Sequence, residues 1–251
     1  MVLYEFPFNE SMRTMLRLEH LFDRLGQLLP RETVVDHHFA LVTLFEIVDV
    51  AARADLKNEL LRELDRHRSQ LQTYRGNSQV ALQALDEMLA RFDSALEQLS
   101  QQQGKAGVAL AANDWLTSVR SRISIPGGTC EFDLPAYYAW QQHGAARRRA
   151  DLTGWTNSLA PTAQAVQLLL QLVRESGVAS KVVSKGGQFQ QSLPSGRSYS
   201  LARLRIAADN GLVPEISGHR LMVSVRLMSA EPDGRLRPAN QDAAFELMLC
   251  H

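Results

Sequence analysis

Residues 123–140 read ISIPGGTCEFDLPAYYAW. Both flanks carry helical patterns, and this stretch resembles neither. Pro126-Gly127-Gly128 stops the preceding helix, because proline removes a ladder donor and glycine tolerates positive φ. Thr129-Cys130-Glu131-Phe132 then alternates as a short strand does. Pro135 closes it, ahead of a new helix carrying Tyr137, Tyr138 and Trp140. A strand lodged between helices needs partners elsewhere, so the stretch predicts a helical domain seamed to a sheet.

Working outward, the upstream chain is helical. Asn9 reads as an N-cap, and Met15, Leu18, Phe22, Leu25 and Leu29 follow at helical spacing until Pro30. Two further helices are expected over 36–52 and 55–74. The next, over 79–102, carries Leu82, Leu85, Leu89, Phe92, Leu96 and Leu99 in a heptad seam. It is too short for a long coiled coil, so an antiparallel partner inside a bundle is expected. A helix over 111–122 leads into the opening stretch, and another is expected over 161–175, with Gly177 as its C-cap.

Downstream the period changes. Residues 201–207 and 221–228 alternate strictly, with turns at Pro194-Ser195-Gly196, Asp209-Asn210-Gly211 and Pro232-Asp233-Gly234, and 243–249 reads as a last strand. Val2–Phe8 reads as an edge strand. The expected fold class is α+β, a mostly helical bundle with a small antiparallel sheet. Residues 10–177 form the helical domain, with an inserted strand near 124–134. Residues 1–9 and 178–251 form the β-domain.

Composition bounds the function. The 251 residues are 45% hydrophobic and 22% charged, with 27 basic and 27 acidic side chains. A zero net charge argues against bulk nucleic-acid or membrane-surface binding. No run approaches the roughly 18 apolar residues of a membrane span. The N-terminal MVLYEFPFNESMR is not a signal peptide, and Cys130 and Cys250 suggest reduced thiols in a cytoplasmic protein. No phosphate loop, dinucleotide fingerprint, metal-spaced cluster or nucleophile elbow is present, so no catalytic residue, cofactor or metal is expected. His37 and His38 read as surface histidines, and Arg147-Arg148-Arg149 as a solvated helix start or loop.

Two basic surfaces stand out. Arg13, Arg17, His20 and Arg24 fall at spacings that form one helical stripe. On the sheet, Arg203 and Arg205 alternate with Ala202, Leu204 and Ile206, while Arg220, Met222, Arg226 and Met228 alternate with Leu221, Val223, Val225 and Leu227. An arginine face with methionine suits an acidic, partly apolar peptide. The pattern alone fits a solvated sheet face as well. Tyr137, Tyr138 and Trp140 read as core aromatics.

Four blocks together resemble one family: LYEFPFNESMRTMLRLEHL at 3–21, ELLRELDRHRSQLQTYRG at 59–76, SIPGGTCEFDLPAYYAW at 124–140 and PEISGHRLMVSVRLM at 214–228. They are similar to the ZapD family, bacterial cell-division proteins that bind the tubulin-like GTPase FtsZ. The resemblance implies a cytoplasmic, non-enzymatic homodimer acting at the mid-cell division site. Such a dimer binds the FtsZ C-terminal tail, crosslinks and bundles protofilaments and supports Z-ring assembly. Neither nucleic acid nor membrane is an implied partner. Tail recognition in the family is attributed to a basic surface where its domains join. Arg17, in MRTMLR, matches a family arginine tied to that role, and other basic family positions fall here on Trp115 and Tyr138. Charge pattern adds Arg13, Arg120, Arg122 and Arg220, with Arg203 and Arg205 on the sheet. Two alternatives stay open: a nucleic-acid-binding module using the arginine-rich sheet, and an enzyme with a site between the domains.

Overall fold

The computed structural model describes residues 1–52, 55–77 and 79–251. The chain divides into two compact units, Met1–Thr14 with Leu170–His251, and Met15–Leu169. The fold is α+β, with two antiparallel sheets where the sequence suggests one.

In the first unit, one sheet orders its strands β1 (Val2–Pro7), β4 (Leu201–Ile206), β8 (Ala243–Cys250) and β2 (Val178–Ser184). The other orders β3 (Gln188–Ser192), β6 (Met222–Ala230) and β5 (Leu212–His219), with β7 (Leu236–Pro238) also paired to β6. Their facing side chains make one core. Ala202, Leu204, Ile206, Phe245 and Leu247 come from the first sheet, and Val223, Val225, Leu227 and Leu212 from the second. The alternation of β4 and β6 is therefore the alternation of core and outer face.

This arrangement corrects the expected arginine face. Arg203 and Arg205 lie on one sheet and Arg226 on the other, while Arg220 stands in the turn between β5 and β6. Because the apolar sides of β4 and β6 meet in the core, their arginines point away from each other. The chain passes between the sheets through Gly186-Gly187. Gly187 has φ +73°, and a Cβ there would lie 1.8 Å from the Ala239 carbonyl oxygen. Only glycine fits so close a backbone approach.

The second unit is helical. Helix α2 (Val34–Ala51) is capped by Thr33, whose Oγ1 accepts the Asp36 N–H at 3.0 Å. It is apolar nearly all round and buries Leu41, Leu44, Ile47 and Val48. Helices α3 (Leu56–Gln72) and α4 (Leu82–Gln101) bury Leu60 and Leu64 of one and Leu85, Leu89, Phe92 and Leu99 of the other. Arg68 pairs with Asp93 and Arg75 with Asp86, so the two run antiparallel, as the heptad seam requires. The short α5 (Val108–Ala111) precedes α6 (Asp114–Ile123), which Asn113 caps. Then come α7 (Pro135–Gln141), α8 (Ala145–Thr156) and α9 (Ala160–Glu175). Helix α1 spans Glu10–Leu28.

The opening stretch is not a strand. Residues 124–134 form consecutive turns. Gly128 N–H donates to Ile125 O, Cys130 N–H to Gly127 O, and both Asp133 and Leu134 N–H to Cys130 O, at 2.9–3.2 Å. Once these donors are satisfied locally, the segment has no need of a sheet partner. Gly127 takes φ +70°, and a Cβ on Gly128 would sit 2.7 Å from Arg122 O. The glycines thus fold the segment onto the end of α6 instead of releasing it as an extended chain.

Candidate functional site

Helix α1 presents the candidate stripe. Its buried side is Met12, Met15, Leu18, Leu21 and Leu25, so the helical period leaves Arg17 and His20 exposed. The four basic residues are not equivalent. Arg13 pairs with Glu10 one turn back at 3.2 Å. Arg24 donates to Thr43 Oγ1 at 2.9 Å and pairs with Glu46. Arg17 has no ion pair among the described residues.

The last turn of α6 carries Arg120 and Arg122. Arg120 pairs with Asp49 of α2. Arg122 reaches Asp133 in the turn segment at 3.9 Å, a separation at which two half-exposed charges contribute little. That contact brings α6 beside the segment that leads into α7. On α7, Tyr138 is 45% exposed, while Tyr137 and Trp140 are buried. The core reading therefore holds for Tyr137 and Trp140 and fails for Tyr138, which α-helical geometry turns away from its neighbour.

Trp115 belongs to an aromatic cluster. It stacks on Trp155 at 5.1 Å between ring centroids and lies 5.5 Å from Trp140. Tyr137 and Trp140 stack at 5.8 Å. Burial pushes the Tyr137 hydroxyl up to about 12, so it keeps its proton, and it shares a 2.7 Å hydrogen bond with His38 Nδ1. Burial also holds His38 below the usual histidine range.

On the sheets, Arg203 is engaged. Its Nε donates to Glu5 Oε1 at 2.8 Å, and Arg174 donates to both oxygens of the same carboxylate at 2.9 and 2.7 Å. The Arg203 and Glu5 side chains are only 15% and 17% exposed. Two guanidiniums around one carboxylate at low exposure form a structural ion cluster, not a receptor for an incoming acid. Arg205, across from Glu246, and Arg220 are exposed. With its arginines split between two sheets, the single basic face behind the nucleic-acid reading is lost.

Two sequence readings are overturned in the helical unit. His37 and Arg148 are buried, not solvated. Arg148 sits among backbone carbonyls and the His37 ring, which carry no sequence signature, so neither periodicity nor spacing marks it. A cavity of about 300 Å³ in the same unit is bordered by Leu56, Leu60, Lys57, Lys105 and Thr162. Its lysines donate to carbonyls, Lys57 to Ser100 and Gln102, and Lys105 to Ala52. Among the described residues, no group of three His, Cys, Asp or Glu side chains is placed to hold a metal. Likewise, no helix there is long and apolar enough to cross a membrane.

The ZapD family model, described as a cell division protein, matches residues 16–226. A protein of Ralstonia nicotianae named Cell division protein ZapD is 51% identical over 252 residues, covering 100% of both chains. A protein of the same name from Ralstonia pickettii is 50% identical over 252 residues, again covering 100% of both.

Proposed function

Since the chain belongs to the ZapD family of cell division proteins, we propose that it binds the C-terminal tail of FtsZ and, as a homodimer, crosslinks and bundles FtsZ protofilaments to promote Z-ring assembly. It acts in the cytoplasm at the mid-cell division site, without catalysis, cofactor, nucleic acid or membrane. A dimer offers two tail sites, and filaments display many tails. Avidity therefore multiplies contacts that are weak one at a time.

One observation carries the reading. Arg17 stands exposed on α1 without an acidic partner among the described residues, while Arg13 and Arg24 on the same helix are held by Glu10 and Glu46. Arg17 is therefore the charge free to take a carboxylate of an acidic tail, bidentate as arginine allows. Arg13, Arg120, Arg122 and Tyr138 are secondary candidates, with Arg205 and Arg220 on the β unit. Arg203 contributes to folding instead, through Glu5.

The test is co-sedimentation of FtsZ filaments with the wild type and with Arg17→Glu. Reversing the charge exchanges an attractive contact for a repulsive one. At low salt the variant should pellet at least about tenfold less bundled FtsZ, the ratio expected from about 1.4 kcal/mol. Its circular dichroism should be unchanged, because Arg17 buries nothing. Equal pelleting by both proteins overturns the assignment.

A further inference from the structure

His37 is completely buried, and its hydrogen bonds fix its protonation state. Its Nε2 lies 2.7 Å from the Arg31 carbonyl oxygen. A carbonyl only accepts, so Nε2 carries hydrogen. Its Nδ1 lies 2.9 Å from Nε of Arg148, and a guanidinium only donates. Nδ1 is therefore bare and the ring neutral. Arg148, itself 5% exposed, spends three of its remaining donors on Gln141 O at 3.0 Å, on His143 O and on Glu32 O at 2.7 Å. These acceptors are all uncharged. The pair thus closes four pieces of chain on one point: the 31–32 loop, the first turn of α2, the α7–α8 connection and α8.

We propose that His37 and Arg148 form a proton-operated latch, in which uptake of one proton at Nδ1 of His37 expels the Arg148 side chain and frees the α7–α8 connection. A proton on Nδ1 removes the acceptor of the Arg148 Nε–H and sets two cations in contact inside the protein. The carbonyls of Gln141 and His143, at the C-terminal end of α7, then lose the charge that satisfied them. The surrounding charges act in the same sense. Arg148 and Arg149 both oppose the proton, and Arg149 is only partly answered by Glu32 at 3.1 Å. Asp36 favours it, but its carboxylate is already engaged by Thr33 at 2.6 Å and Arg31 at 3.2 Å. In the α7–α8 connection, His143, whose backbone carbonyl takes an Arg148 hydrogen bond, has its ring Nδ1 buried and unpartnered among the described residues. His38, the next residue of α2, bonds Tyr137 of α7 and is the second titrating link between these helices.

Burial first, and the arginines second, depress His37 in the closed latch below the ordinary histidine value of 6.5. The open latch returns to that value. The latch is thus at full strength above about pH 6.5 and weakens as pH falls from there through the closed-state value, by up to about tenfold per pH unit.

Hydrogen exchange on the full chain at pH 7.5 and 5.5, corrected for intrinsic exchange, tests this. Peptides covering 141–148 should exchange faster at the lower pH, by up to about tenfold, while β4 and α4 change little. The midpoint should coincide with the imidazole titration of His37 followed by NMR. His37→Gln, which does not titrate, should erase the pH dependence, and His38→Gln should leave it. Equal exchange at both pH values overturns the latch. So does acceleration that persists in His37→Gln, vanishes in His38→Gln, or spreads evenly over α4. If His37→Gln does not fold, the wild-type coincidence of the two midpoints still decides.

Discussion

The two sheets share one core yet differ on their outer faces. On the β1-β4-β8-β2 sheet part of the outer face is covered: Leu201, Met248 and Cys250 are buried there, and Glu5 lies between Arg203 and Arg174, while Arg205 on the same face stays exposed. On the β3-β6-β5 sheet the outer face is a polar grid, with Gln188 and Glu215 across from Arg226, and Gln190 and Ser217 across from Ser224. Arg203 and Arg226 occupy the same place in an alternating strand, and sequence makes them equals. The structure makes one a member of a shielded ion cluster and the other a solvated side chain. A charge on a strand acquires its meaning from whether its own part of the sheet face is covered.

Three substitutions sharpen that contrast, in decreasing order of effect. Gly187→Ala strikes the passage between the sheets, where the new Cβ meets the Ala239 backbone at 1.8 Å with φ positive. Chemical denaturation should show a loss of about 3 kcal/mol or more. Glu5→Ala strikes the covered face. It leaves Arg203 and Arg174 without their shared carboxylate, at 15% and 24% exposure. The expected loss is about 2 kcal/mol, below the cost of a fully buried pair because some solvent reaches the cluster. Arg226→Ala strikes the open face and should change stability by less than about 0.5 kcal/mol. Equal losses for Glu5→Ala and Arg226→Ala would break the distinction between the faces.

Much of the fold was legible because periodicity reports burial. The α4 seam called for an antiparallel partner, which α3 provides, and the alternation of β4 and β6 located the core. Periodicity does not report pairing, so nothing separated one sheet from two. Strand β3 is polar, QFQQS, and β5 contains Pro214 and Gly218, so both lack a strand signature. Helix α8 hid because buried Arg148 occupies its apolar stripe. At the candidate site, the position of Arg17 was readable from its helix. The engagement of Arg203 was not, since Glu5 lies 198 positions away in sequence.

Chain order has a consequence for how the protein is made. β1 leaves the ribosome about 200 residues ahead of its hydrogen-bonding partner β4, with Val2 opposite Ile206. At ~5–20 residues per second, β1 waits about 10–40 s for that partner. The residues synthesised in between include all of Met15–Leu169, which can collapse around its own core meanwhile. During that interval Val2–Pro7 is an unpaired strand bearing Leu3, Tyr4 and Phe6, the kind of segment that nascent-chain chaperones shield. Its Glu5 and Pro7 then act as guards against premature pairing before they serve the finished sheet.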